Sequence, residues 1–262
     1  MTSVSDKVTD ALNETRILIL GAEILLSLQF HAVFQPQFES LSEASRYLDG
    51  VAYALMLTAA ILLIAPGSFH RLVEGGNDTA RLHRVTTALA TAALGPFALC
   101  LGIDEFMVAG KVFTPPFAVA AGCIIALLAV TAWYGVELAR MRPRTQLGLD
   151  TEEVMATPIK EKIRTLGTEI RVILPGAQAL LGFQFAAFLS TAFGNLPRTV
   201  QTVHFASLTT MAITVILLMA PAAYHRIATS GEEARDVDTF GSRAMLGAMG
   251  FLGAKLISQL RG

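Results

Sequence analysis

The stretch LDGVAYALMLTAAILLIA, residues 48–65, decides the fold class. Its apolar residues run on without alternation. A membrane barrel strand would alternate apolar and polar residues over a short segment. A helix rises about 1.5 Å per residue, so it needs about 20 mostly apolar residues to cross about 30 Å of hydrocarbon. Residues 48–65 fit the second description, and other stretches fit it too. The full set is Ile17–Phe34, Leu48–Ala65, Val85–Ile103, Phe117–Leu138, Val172–Phe193, Val200–Ala220 and Ala244–Ile257. The last is short and carries Lys255 near its end. The expected class is all-α, a polytopic helical membrane protein with about seven transmembrane helices.

Composition agrees. Hydrophobic residues make up 53% of the chain and charged residues 16%, against about 25% charged in a soluble domain. Mean hydropathy is +0.55. The charges fall between the apolar blocks. A net charge of −1 supplies no basic face for nucleic acid. Cys100 and Cys123 both lie inside apolar blocks, where inert buried thiols are expected rather than a disulfide or metal pair. The opening MTSVSDKVTDALNETR has no apolar core and no small-residue cleavage site, so the first spanning helix is expected to act as its own insertion signal.

Lysine and arginine set the direction of the spans. One set of loops holds Arg71, Arg81, Arg84, Arg140, Arg142, Arg144, Lys160, Lys162, Arg164, Arg226 and Arg235; the opposite set holds Arg46, Lys111 and Arg198. The first set is expected in the cytoplasm of a cell with an inner membrane, together with the N-terminus; the C-terminus is then external. Trp133, Tyr134 and Tyr224 are expected at the inner boundary, where amphipathic rings favour the headgroup level.

The chain also repeats itself at an offset of 155 residues. ETRILILGAEILLSLQF at 14–30 aligns with EIRVILPGAQALLGFQF at 169–185, and LLIAPGSFHR at 62–71 aligns with LLMAPAAYHR at 217–226. Glu14, Arg16, Gly21, Gln29, Pro66, His70 and Arg71 recur as Glu169, Arg171, Gly176, Gln184, Pro221, His225 and Arg226. Apolar composition alone does not align polar, glycine and proline positions without a gap. The first repeat has four spans and the second three. An even number of spans restores the starting side, so the two tandem repeats are parallel, related by an axis along the membrane normal. The units are then 1–140, a linker at 141–168, and 169–262. In the linker, Asp150 and Glu153 suggest a capping box, and Val154, Ile159 and Ile163 an apolar face. An interfacial helix and a solvated linker are both open.

The pattern R-x-x-L-P-G-x-Q-x-L, here Arg171, Leu174, Pro175, Gly176, Gln178 and Leu180, opens one helix. A-P-x-x-Y-H-R, here Ala220, Pro221, Tyr224, His225 and Arg226, closes the next. Together they resemble a family of small bacterial multi-pass membrane proteins of unknown function, some labelled sodium:proton antiporters. The first repeat departs from the pattern, with Leu20, Glu23 and Phe69 at the Pro, Gln and Tyr positions. Members of that family commonly look like one repeat, so the resemblance implies two fused copies, the second shortened.

Glu23 lies about 10 Å along the helix from Arg16. An ionisable residue inside a span is costly and by default a functional candidate facing the bundle interior. Arg16 is seven residues away on the same helix face. The repeat partner of Glu23 is the neutral Gln178, and that of Arg16 is Arg171. Gln29 and Gln184 fall deeper, where each amide needs a partner and either lines a polar path or bridges helices. These six are the transport candidates. His70, Arg71, His225 and Arg226 follow intrahelical prolines and are candidates for a gate or an interface, against plain anchoring at the positive side. Asp104 and Glu105, at an outer helix end, could gather cations, but solvated loop charges are the favoured reading. No metal site, cofactor motif or nucleophile–base pair is evident, so an enzyme is the least favoured class. The reading is a transporter-like membrane protein, coupled to protons or monovalent cations. The alternative is a non-transporting subunit or scaffold of a larger complex. The bilayer is the first partner, and a homo-oligomer or another membrane protein the second.

The orientation is open to test. A cysteine placed near Lys111 should react with an impermeant reagent added outside intact cells, while one near Lys160 should not; the reverse pattern would invert the topology.

Overall fold

The structure is a computed structural model that describes residues 4–140 and 159–228, with residues 244, 246 and 247. Its elements are α1 (Val4–Ala32), α2 (Glu43–Leu72), α3 (Ala80–Val112), α4 (Pro115–Arg140), α5 (Ile159–Phe188), the short α6 (Thr191–Gly194) and α7 (Arg198–Ala228). There is no strand among the described residues. The helices are cut by local chemistry. Ser42, Thr79 and Ser190 cap α2, α3 and α6, their hydroxyls accepting from the backbone N–H of Ser45, Leu82 and Phe193 at 3.0–3.2 Å. The turn after α2 needs Gly75 and Gly76, whose φ values are 58° and 82°. Pro115 opens α4, where a missing N–H costs nothing. Pro66, Pro96, Pro175 and Pro221 lie inside helices, and each helix continues through its proline.

Four helices contain segments long and apolar enough to cross a membrane: Glu43–Leu72, Ala80–Val112, Pro115–Gly135 and Arg198–Ala223. They correspond to the second, third, fourth and sixth expected spans. In α1 and α5 the first half is polar and the second apolar, the apolar part of α5 being Ile173–Phe188. The fifth span was expected to reach Phe193, but α5 stops at Phe188 and the capped α6 follows. Residues 159–168 of the expected linker are already helical and belong to α5, while 141–158 lie outside the described residues, as does nearly all of the seventh span. Shifting α1 and α2 by 155 gives 159–187 and 198–227, within a residue of the bounds of α5 and α7.

The long helices form a closed ring in the order α1, α2, α3, α4, α7, α5, and α3 also reaches across to α1, α5 and α7. This follows from sequence: α3 is apolar or small on nearly every side, so it buries itself where neighbours surround it. Outward faces of the ring are apolar too. Ile61 on α2, Ile124 and Leu127 on α4 and Phe183 on α5 are each about 60% exposed. Such a surface suits hydrocarbon, not water.

Two aromatic expectations are corrected. Trp133 is buried, its indole N–H donating to the Ile216 carbonyl of α7 at 3.0 Å and its ring edge-on to Phe97. The Tyr134 hydroxyl donates to the Thr91 carbonyl of α3 at 2.7 Å. Both tie α4 into the ring instead of marking a headgroup boundary. At the opposite end Arg198 donates to the carbonyls of Val112 and Lys111 at 2.6 and 3.4 Å, placing a cation on the C-terminus of α3.

The backbones of α3 and α4 approach each other closely. A methyl on Gly102 would fall 2.8 Å from the Gly122 carbonyl oxygen, and one on Gly122 would fall 2.6 Å from that of Gly102. Close backbone approach of this kind lets van der Waals packing hold helices together without a hydrophobic drive. Gly102→Ala and Gly122→Ala should each destabilise the protein by about 1–3 kcal/mol. Equilibrium unfolding in mixed micelles checks this; wild-type stability in both variants would disprove the packing.

Candidate functional site

The polar residues that matter lie on α3. Cys100 and Asp104 are one turn apart and share a face; Glu105 points about 100° further round. Because α3 is surrounded, each side chain meets a neighbouring helix. Gln29 of α1, 4% exposed, donates its amide N–H to Asp104 Oδ1 and Oδ2, both at 3.1 Å, and to Cys100 Sγ at 2.9 Å. The Cys100 thiol in turn lies 3.7 Å from Asp104 Oδ2. The amide orientation is determined by chemistry, since its oxygen would repel the carboxylate. Glu105 is fully buried, at 0% exposure, and its Oε1 accepts a short hydrogen bond from the Thr209 hydroxyl of α7. Asp49 of α2 is 3% exposed and close enough for its charge to act on Cys100 and Asp104.

Three carboxyl groups thus gather in the half of the bundle where α1, α3 and α5 end. Asp104 is about 12 Å from the end of α3, and Asp49 about 9 Å from the start of α2. Among the described residues no basic side chain forms an ion pair with any of them. Gln29 Oε1 and Glu105 Oε2 are buried and have no hydrogen-bond partner. Gln29, Asp104 and Glu105 line a cavity of about 10 Å³, closed on its other sides by apolar groups of α1, α3, α5 and α7. A charged carboxylate at the centre of a bilayer costs on the order of 2.5–3.5 kcal/mol. Chemically, the cluster is able to take up, hold and release a positive charge.

Two regions of the chain, 4–137 and 156–260, match a family of unknown function, DUF6328. The chain belongs to this family. The two matches are consistent with two copies of the family unit within one DUF6328 protein. The family description names no activity, so it carries no support for the antiporter label. No curated protein and no solved structure matches the chain.

The transport candidates named from sequence do not converge in this DUF6328 protein. Glu23 was expected to face the interior; it is exposed. Arg16, seven residues away, shares that outward face and donates to Asn13 at 3.2 Å. The interior face of α1 is taken instead by Leu18, Ala22, Leu25 and Gln29. Gln178, the repeat partner of Glu23, does point inward. It is 0% exposed, its amide has no partner, and it fills the space that a side chain at Gly21 would need. Gln184 donates to the Ser207 hydroxyl at 2.8 Å, and its carbonyl oxygen lies 3.0 Å from the His204 ring nitrogen. His70 lies 3.6 Å from Asp78, which also accepts from Ser5 at 2.7 Å, and Arg71 is exposed. The side chains of Arg171, His225 and Arg226 are outside the described residues.

Asp104 and Glu105 are not the solvated loop charges that the sequence suggests: α3 continues to Val112, burying Glu105 and half-burying Asp104. The signal was present. FMVAGKVF follows Glu105 with a single charge, and the Pro115–Pro116 pair marks where the next helix begins. Asp49 carries no sequence signal because it stands at the head of an expected span, whereas α2 starts about one and a half turns before that span, at Glu43.

Gln29→Leu should cost about 1–3 kcal/mol, because the half-buried Asp104 carboxylate loses its amide donor. Unfolding titrations measure this. A cost near zero would show that the amide does not hold Asp104.

Proposed function

We propose that this protein is a multi-pass transporter-like membrane protein, coupled to protons or monovalent cations through Asp104 and Glu105. The observation behind the reading is the cluster of the buried Asp49 and Glu105 with the half-buried Asp104, without a basic partner among the described residues. A helix-packing scaffold has no use for such groups, and intramembrane acids of this kind mark proton and ion pathways. In this reading the chain performs transport rather than catalysis. It lies in an inner membrane with the N-terminus cytoplasmic, as the lysine and arginine distribution suggests. Its seven spans form two parallel repeats, which the matching helix bounds at an offset of 155 support.

A second reading, a subunit of a larger membrane complex or a homo-oligomer, is favoured by Glu23. An exposed carboxylate in the apolar half of α1 is costly against lipid and would be relieved by neighbouring protein.

Purified protein in vesicles, given a pH gradient in sodium or potassium buffer, separates the two readings. Asp104→Asn and Glu105→Gln should bring ion flux down to the level of protein-free vesicles, while Glu23→Gln keeps the wild-type rate. Wild-type vesicles that pass no charge would favour the subunit reading. Loss of flux in Glu23→Gln alone would return the carrier role to α1.

A further inference from the structure

We propose that the cavity between α1, α3, α5 and α7 holds one water molecule that passes a proton between Glu105 and Asp104, so that the cargo of this site is the proton and not a metal cation. The proposal rests on the transport reading for its biological meaning, but the water site itself stands on geometry.

The first argument is size. At about 10 Å³ the cavity is at the lower bound for a single water and too small for a hydrated cation. A buried water also needs two to four polar partners. Gln29 and Glu105 both line the cavity, and each has a buried oxygen, Oε1 and Oε2 respectively, that nothing else engages. Asp104 supplies a third partner. Leaving two such oxygens unpaired is unfavourable, and one water relieves both.

The second argument is the donor set. A hard cation stripped of its water asks for a shell of oxygen ligands. Beyond Gln29, Asp104 and Glu105, the lining is hydrocarbon from Leu25, Leu101, Leu181, Phe185 and Leu208. Three side chains suffice for a water and fall short for a dehydrated metal ion.

The third argument is the relation of the two acids. As neighbours on one helix they diverge by about 100° and need an intermediary to exchange a proton. Each is already steadied as its anion: Asp104 by the Gln29 amide and the Cys100 thiol, Glu105 by the Thr209 hydroxyl. The other groups facing the pair are Asp49 from α2 and Cys100 from α3 itself, while α5 contributes only apolar groups to the cavity. None of these is a cation, so the surroundings favour keeping a proton in the site. In the transfer, the Oε2–H bond of Glu105 breaks and its proton joins the water oxygen, while one of the water's own protons passes to an Asp104 carboxylate oxygen. The water is restored, Glu105 becomes the anion and Asp104 the acid. Total charge is unchanged.

Infrared difference spectra of the full-length protein in vesicles, taken between two pH values in ordinary and oxygen-18 water, test the proposal. Carboxylic acid bands should be lost in Asp104→Asn and Glu105→Gln. A water O–H band should shift with oxygen-18 and vanish in Ala212→Val, which fills the cavity and leaves both acids in place. Adding sodium at constant pH should leave the bands unmoved. Absence of an isotope-sensitive water band in the wild type would overturn the proposal without reliance on any variant, as would displacement of the carboxyl bands by sodium. The transport reading fails separately: these bands in a protein that passes no charge support the water site and remove transport, whereas proton flux without the water band does the opposite.

Discussion

The enclosure of α3 governs the rest of this bundle. A helix that touches five others keeps only a strip of outward surface, around Arg84, Ala88, Ala92 and Leu99, so a polar side chain on its other faces must be answered from within the protein. Cys100, Asp104 and Glu105 are answered by one residue from α1 and one from α7, and the thiol and Asp104 are close to each other as well. The glycine crossing with α4 makes that enclosure tight on one side; the indole and phenol anchors at Trp133 and Tyr134 fasten α4 to its two neighbours. Polar chemistry and close packing are therefore two results of one arrangement.

How much of this was legible depended on which helix a residue occupied. Long apolar runs give helices and their approximate ends, because length and hydropathy are properties of a single segment. Which way a side chain points is a property of the neighbours. Glu23 and Gln29 stand six residues apart on α1, about 120° apart around the helix, so they point in different directions. Sequence marked both as costly; only the ring of helices decides that Gln29 meets Asp104 while Glu23 looks outward. Asp104 and Glu105 were visible as letters but misplaced by the helix end, since a boundary error of two turns turns a buried acid into a solvated one. The repeat motifs guided attention to residues that recur, whereas Asp104 and Glu105 lie beyond the aligned segments.

The positions that do recur hold polar contacts in both halves. Gln29 reaches a carboxylate on α3, and its counterpart Gln184 reaches a hydroxyl on α7. Asp49 is buried near the first of these, and its counterpart, His204, contacts the backbone of the second. The same two places in each half hold polar groups, but their chemical character differs, a carboxylate in one half and an imidazole in the other.

Gln178 and Gly21 show how far that divergence has gone. In a pair of identical chains, each would offer both a notch and a peg, and the two contacts would be equivalent. Here only one notch is filled. Gly21 receives the side chain of Gln178, while Gly176, the matching glycine, has open space around it, and Glu23, the matching peg, faces away. The two halves have become non-interchangeable. Position 21 is bound to remain without a side chain for as long as Gln178 occupies its place, and position 176 has been released from that obligation. Joining the copies in one chain has let the interface keep one socket and leave the other free to vary.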